Sequence, residues 1–144
     1  GYNMNIPLPP GGGHTLYLEA MERLILPRLR EFQPDIIIIA CGFDASAIDP
    51  LARMLATSET FGQLTKFVMG AAHELCSDRL SMIHEGGYSE VYVPFCGHRV
   101  IQELSNSSIK AEDPYKFLFE SRQPSKRVQN FYSELITELE QFFF

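Results

Sequence analysis

Hydrophobic positions along the chain follow helical spacing in four segments. Residues 15–32 carry apolar side chains three and four positions apart, which predicts a helix with one apolar face. Pro27 lies inside this pattern, so we expect a disturbance of the helix there. A second helix should begin at Thr57 or Ser58, either of which can act as an N-cap, and a third near Pro94. The remaining predictions are loops at 1–13 and 105–124, the latter with short structured pieces, and an amphipathic tail helix from about 128 to 142.

Two short segments predict strands instead, and the first of them is continuously apolar. The run Ile36–Cys41 and the later segment Leu80–His84 each predict a strand. An unbroken β-branched run is typical of a strand buried on both faces, and therefore of a parallel sheet covered by helices. The helix–strand–helix–strand order predicts the α/β class. Two such strands would leave open edges, so either weak strands lie in the loops or another polypeptide completes the sheet.

Composition and charge exclude several classes of protein. Twelve basic and eighteen acidic residues give a net charge of −6, so nothing suggests a basic surface for nucleic acid. An apolar content of 45% with 21% charged residues is typical of a globular protein. No apolar run approaches the roughly 20 residues of a membrane span, and no signal peptide is recognisable. Three cysteines without a C-x-x-C pair predict reduced thiols, and we expect a cytoplasmic protein.

Candidate chemistry lies where the two predicted strands end. Asp44 and Asp49 follow the first strand, and Gly86, Gly87 and Tyr88 follow the second. Ligands of parallel sheets bind beyond the carboxyl ends of the strands, so Asp44 is a candidate metal ligand or catalytic carboxylate. The alternative is an acidic residue that caps a turn. Tyr88 follows two glycines and could face a cleft, or it could be half-buried packing.

Other polar residues are weaker candidates. His84 could be a core histidine at a strand end or could approach the site, and we favour the first interpretation. His73 and Glu74 lack the second histidine that a zincin helix requires, so we interpret them as a surface pair.

Several motifs at consistent spacing identify a family. Gly42–Ser46, Asp49–Leu51 and Glu85–Tyr88 together resemble the zinc-dependent histone deacetylase superfamily, in particular its bacterial class II-like and acetylpolyamine amidohydrolase branch. Asn5–Gly11 and Tyr92–Gly97 resemble the same branch. The resemblance covers residues 1–106. We therefore interpret 1–144 as the C-terminal portion of a single deacetylase domain, with 107–144 as an extension that carries the tail helix.

This resemblance implies the arginase/deacetylase fold, a parallel sheet with helices on both faces, and a Zn²⁺ cofactor. It implies that Asp44 is the third zinc ligand and that the hydroxyl of Tyr88 donates a hydrogen bond to the acyl oxygen. Pro50 and Leu51 would line the acyl tunnel, and Gly86 and Gly87 the glycine-rich strip beside it.

The sequence also departs from the family pattern. It contains no Asp-x-His motif, which supplies the other zinc ligands, and no paired histidines to act as general base and acid. We therefore expect the chain to act on acetyl-lysine or acetylpolyamine only together with a missing N-terminal half, and to be inactive alone. The alternative is a catalytically inactive scaffold that self-associates through its open sheet edges. Arginase-like two-metal hydrolysis is a weaker possibility, because it needs clustered ligands.

Overall fold

A computed structural model of the chain describes residues 2–144; residue 1, part of the predicted first loop, lies outside them. One helical run contains α1 (His14–Ala20), a π-helical turn (Met21–Ile25) and α2 (Leu26–Phe32). It is followed by β1 (Ile37–Cys41), α3 (Ser58–Cys76), β2 (Leu80–His84), α4 (Val93–Leu104), α5 (Lys116–Ser121) and α6 (Lys126–Phe143). The predicted helices and strands are therefore present, and α5 is a short helix within the predicted loop at 105–124.

The disturbance expected at Pro27 takes the form of the π-helical turn. Pro27 lies in the first turn of α2, directly after this turn. Because proline has no N–H group, a carbonyl of the preceding turn loses its helical partner. A π-helical turn widens the backbone and absorbs such an interruption without ending the helix.

Helix α3 begins where its capping residues predict. The hydroxyl of Thr57 accepts a hydrogen bond from the backbone N–H of Thr60, and the Thr60 hydroxyl accepts one from the N–H of Thr57. This reciprocal capping satisfies two N–H groups that the helix cannot pair itself. The helix ends at Cys76, and the next residue, Ser77, has a left-handed φ of 51°.

Strands β1 and β2 pair in parallel, with Ile37 opposite Leu80 and Cys41 opposite His84. Their register separates the side chains into two faces. One face packs under the helices through Ile37, which is 5% exposed. The other face bears Ile38 and Ile83, which are 61% and 50% exposed. Within residues 2–144, helices thus cover one side of the sheet, so the prediction of strands buried on both faces holds for one face here.

In place of the additional strands considered for the loops, the described part of the chain contains two isolated β-bridges. Gly13 bridges Leu55, and Ser46 bridges Ala56, both in parallel. Both bridges lie beside the loop that follows β1. The described helices include none that is long and apolar enough to cross a membrane.

The segment 107–144 packs against the N-terminal helical run. Ile136 of α6 is fully buried beside Leu16 and Leu24. At the edge of this contact, Nε of Arg23 donates a hydrogen bond to Oε1 of Glu140 over 3.0 Å. Helix α6 is therefore joined to the rest of the molecule by an apolar core with an ion pair at its rim.

Candidate functional site

The loops after β1 and β2 lie side by side, as the parallel register requires. The N–H of Glu85 donates to the carbonyl of Cys41 over 3.2 Å, which extends the ladder beyond β2. The N–H of Phe43 donates to the carbonyl of Gly86 over 2.7 Å. Asp44 directly follows Phe43, and Tyr88 lies two residues after Gly86. The two residues therefore lie on neighbouring loops at the carboxyl end of the sheet.

Two glycines closely surround the half-buried side chain of Asp44. A Cβ atom at Gly86 would lie 2.6 Å from Oδ2 of Asp44, and one at Gly42 would lie 2.9 Å from its Oδ1. Both distances are shorter than non-bonded carbon–oxygen contacts allow. The carboxylate is thus held in a space that only glycine leaves free on both loops.

Asp49 connects the two loops and was not among the site residues predicted from sequence. Its side chain is 8% exposed. Oδ1 accepts the backbone N–H groups of Leu51 and Ala52 over 2.8 and 3.2 Å, and Oδ2 accepts the N–H of Tyr88 over 2.8 Å. Its burial and its contact across the sheet depend on tertiary structure, although an Asp-Pro pair in a loop is itself a turn signal.

Tyr88 has a fixed backbone and a side chain that is 54% exposed. The preceding Gly87 has a φ of +128°, and a Cβ atom there would lie 3.0 Å from Cβ of Phe43. Glycine is required at this position for both reasons. With the hydrogen bond from its N–H to Asp49, Tyr88 is held at the backbone while its phenol reaches solvent.

Pro50 and Leu51, the predicted tunnel residues, lie on the turn that Asp49 caps. Both are exposed, Leu51 to 72%. The buried carboxylate of Asp49 fixes this turn, so Leu51 presents an apolar side chain at a defined position. No described residue covers that side chain.

Burial and charge raise the pKa of the nearby Tyr17 to about 12. Burial of the phenol is the larger cause, and the negative charge of Asp44 is the second. Tyr17 therefore stays protonated at neutral pH beside this carboxylate.

His84 is exposed and its ring lies 5.2 Å from the ring of Phe43. The interpretation of His84 as a core histidine is therefore wrong: it lines the open groove between β2 and α4 instead of being enclosed by it. His73 and Glu74 are surface residues, as predicted, paired with Asp78 and Arg30.

Tyr92 is a buried tyrosine in the core cluster that contains Phe43, and sequence reasoning did not predict its hydrogen bonds. The hydroxyl of Tyr92 accepts the N–H of Ser58 over 2.9 Å and donates to Oδ2 of Asp113 over 2.8 Å. Burial is the main reason that the pKa of Tyr92 is raised. This bond network joins the first residue of α3 to the segment after α4.

Among the described residues, Asp44 could contribute a ligand to a metal site. Asp44 offers carboxylate oxygens, which are accepted zinc ligands, in a cradle that a Cβ atom would fill. Residues 2–144 contain no group of three or more His, Cys, Asp or Glu side chains able to hold a metal ion together. Asp44 could therefore provide one ligand for a zinc ion, and the described residues do not complete the set.

The family model and the similar known sequences point to the same family. A family model described as the histone deacetylase domain matches residues 1–104. The "Histone deacetylase-like amidohydrolase" of Pseudomonas aeruginosa is 48% identical over 96% of this chain, which spans 37% of that protein. "Histone deacetylase 8" of Arabidopsis thaliana is 38% identical over 80% of this chain, with 29% of its own length matched.

Solved structures agree with the sequence comparison. The HD domain of HDA15 superimposes with a TM-score of 0.66 and 25% identity, covering 94% of this chain and 34% of its own. The histone deacetylase Clr3 gives the same score and identity, with 22% of its chain covered. The chain thus corresponds to about a third or less of each of these solved chains.

Proposed function

The chain belongs to the histone deacetylase domain family, and from this premise we propose that it contributes to zinc-dependent hydrolysis of an acetylated amine. The substrate class is acetyl-lysine or acetylpolyamine, and the reaction breaks the amide C–N bond with water to give acetate and a free amine. The observation that carries the proposal is the Asp44 carboxylate between Gly42 and Gly86, on a loop joined to that of Tyr88.

In this proposal Asp44 is a zinc ligand. When bound, zinc with an open coordination position polarises the amide carbonyl and makes a water molecule a better nucleophile near neutral pH. Asp44 suits this role because the residue is half-buried, so that its charge is screened less than at an exposed surface. Gly42 and Gly86 leave the space that the carboxylate occupies, because a Cβ atom at either position would clash with its oxygens.

Tyr88 acts on the substrate oxygen. As the carbonyl carbon becomes tetrahedral, negative charge develops on its oxygen, and the phenol donates a hydrogen bond to it. The fixed backbone at Gly87 and the bond to Asp49 reduce the entropy lost when the phenol is oriented. Pro50 and Leu51 provide apolar contact for the acyl chain, with Gly86 and Gly87 on the other side.

The remaining ligands and the general base come from elsewhere in the family domain. The described residues hold one carboxylate of the site, and this chain spans 37% of the Pseudomonas protein. We propose that the sheet face bearing Ile38 and Ile83 receives that remainder, since both side chains are apolar and half or more exposed.

The experiment is performed on the full natural protein that contains this sequence, with zinc content measured for every sample. Tyr88→Phe should keep the zinc content and lower turnover of an acetyl-lysine peptide by about a hundredfold or more. Asp44→Asn should lower zinc affinity at least about tenfold. Failure of the zinc-loaded wild-type protein to cleave acetyl-lysine and acetylpolyamine probes would contradict the proposal.

A second candidate function is an inactive scaffold that self-associates. The apolar sheet face with Ile38 and Ile83, together with a groove of about 410 Å³ between β2 and α4, favours it. Light scattering discriminates between the two: a monomeric protein that binds zinc and cleaves the acetyl probes excludes the scaffold as the main function.

A further inference from the structure

The buried carboxylate of Asp49 lies between the two functional loops, and nothing in the proposed chemistry requires it to touch substrate. Its exposed fraction is 8%, and three backbone N–H groups converge on it. Two of these donors, on Leu51 and Ala52, belong to its own turn. The third belongs to Tyr88, 39 residues further along the chain.

This arrangement separates the tasks of the two oxygen atoms. Oδ1 closes the turn that carries Pro50 and Leu51. Oδ2 crosses to the neighbouring loop and accepts from Tyr88. A buried carboxylate must be compensated by such donors, because desolvation penalises an unpaired charge heavily. The interaction therefore couples the position of the turn to the position of the Tyr88 backbone.

We propose that Asp49 is a positioning residue that holds the phenol of Tyr88 and the apolar turn at Leu51 in one fixed relation. The inference rests on the proposed function, in which Tyr88 stabilises the oxyanion and Leu51 contacts the acyl chain. It adds that correct placement of the phenol depends on a residue outside the metal and substrate contacts. Small displacements of a catalytic group are costly to turnover, while ground-state binding changes less.

Two substitutions distinguish the roles of the two carboxylate oxygens of Asp49. Asp49→Asn has a single acceptor oxygen: when that oxygen stays on the two N–H groups of the turn, the amide NH2 group faces the N–H of Tyr88 and the bond between the loops is lost. Asp49→Ser keeps a hydroxyl that can cap Leu51 and Ala52 but is too short to reach Tyr88. Asp35→Asn is the matched control, because Asp35 is an exposed carboxylate at the opposite end of β1.

The first measurement is amide hydrogen exchange in the full natural protein, followed by NMR. The N–H of Tyr88 should exchange at least about tenfold faster in Asp49→Asn and in Asp49→Ser than in wild type. It should be unchanged in Asp35→Asn. Unchanged protection of the Tyr88 amide in both Asp49 variants overturns the inference, whether or not the protein proves to be a deacetylase. If Asp49→Asn does not fold, Asp49→Ser alone decides.

The second measurement is turnover of an acetyl-lysine peptide at verified zinc content. In Asp49→Asn, kcat should fall about tenfold to a hundredfold with a smaller change in KM. In a Tyr88→Phe background the same substitution should cost much less, because the phenol it positions is gone. Equal losses in both backgrounds overturn the positioning role. An inactive zinc-loaded wild type contradicts the proposed function instead, and the exchange measurement still decides the link between the loops.

Discussion

At the scale of single residues, the space around Asp44 is set by atoms that are missing from its neighbours. Gly86 and Gly42 leave room for the carboxylate oxygens, whereas any other residue would place a Cβ atom within 2.6 Å or 2.9 Å of them. Because the backbone of Gly86 is tied to Phe43 by a 2.7 Å hydrogen bond, the side chain of Asp44 is the part that would have to move. The orientation of Asp44 should therefore be sensitive to a single added methyl group.

Gly86→Ala tests this sensitivity. We expect the new methyl group to displace Asp44 and to reduce zinc affinity at least about tenfold, measured by competition with a chelator. Gly70→Ala is the matched control, because a Cβ atom added at Gly70 in α3 would have no heavy atom within 4 Å outside its own helical backbone. That control should raise the free energy of unfolding by about 0.5–1 kcal/mol and leave zinc affinity unchanged. Normal zinc affinity in Gly86→Ala would contradict the close packing.

His14 gives the molecule a defined pH dependence. Burial lowers the pKa of His14 below the value of 6.5 that it has when unfolded, and Glu59 and Glu120 partly offset this effect. Below pH 6.5 the unfolded state therefore binds more protons than the folded state, and the free energy of unfolding falls as the pH falls. This loss of stability is complete once the pH lies below the pKa of His14 in the folded state.

In the wild type, Nδ1 of His14 lies 3.0 Å from the hydroxyl of Thr60. His14→Gln should reduce the decline in the free energy of unfolding at low pH, because glutamine can keep a hydrogen bond to Thr60 and does not titrate. Urea unfolding of the two proteins at several pH values below 6.5 measures the difference. His73→Gln is the control, because His73 is exposed. An equally steep pH dependence in wild type and His14→Gln would contradict the assignment to His14.

At the scale of secondary-structure elements, α6 is held mainly by its apolar face. Ile136 is 0% exposed within the cluster that contains Leu16 and Leu24, whereas Phe142 of the same helix is 81% exposed. The ion pair of Arg23 with Glu140 lies at a partly exposed rim, where such pairs contribute little.

Ile136→Ala should therefore lower the free energy of unfolding by about 2–4 kcal/mol, because it leaves a cavity in this cluster. Phe142→Ala should change it by no more than about 0.5 kcal/mol. Denaturant unfolding of both variants measures the contrast. Equal effects of the two substitutions would show that α6 does not dock through the face that contains Ile136.

The elements themselves could be predicted from local sequence, and the contacts of the site could not. Thr57 indicates the start of α3 because capping is a local interaction, and the run before Cys41 indicates β1 by its composition. The π-helical turn before Pro27 depends on how the helix accommodates one lost hydrogen bond. Asp49, Tyr92 and Asp113 act through partners 21 to 55 residues away, which spacing along the chain does not encode.

At the scale of the whole molecule, the sheet separates a covered face from an open one. Ile38 and Ile83 are exposed here, yet the chain corresponds to 34% of the HDA15 HD domain that it resembles at a TM-score of 0.66. If the rest of the family domain packs on this face, the same side chains are core residues in the full natural protein.

Ile38→Asp distinguishes these environments. In the full natural protein it should lower the free energy of unfolding by more than about 3 kcal/mol, because it buries an unpaired charge. In the isolated 144-residue chain it should change stability little and reduce self-association, measured by light scattering. A small effect in both proteins would mean that this face stays exposed.

The most direct test of the account is a zinc-edge anomalous difference map from crystals of the full natural protein grown with zinc. We predict a peak about 2.0–2.2 Å from a carboxylate oxygen of Asp44, with the phenol of Tyr88 facing the same cleft. A zinc peak elsewhere, with Asp44 ligating nothing or Tyr88 directed to the opposite side of the molecule, would contradict the central claim.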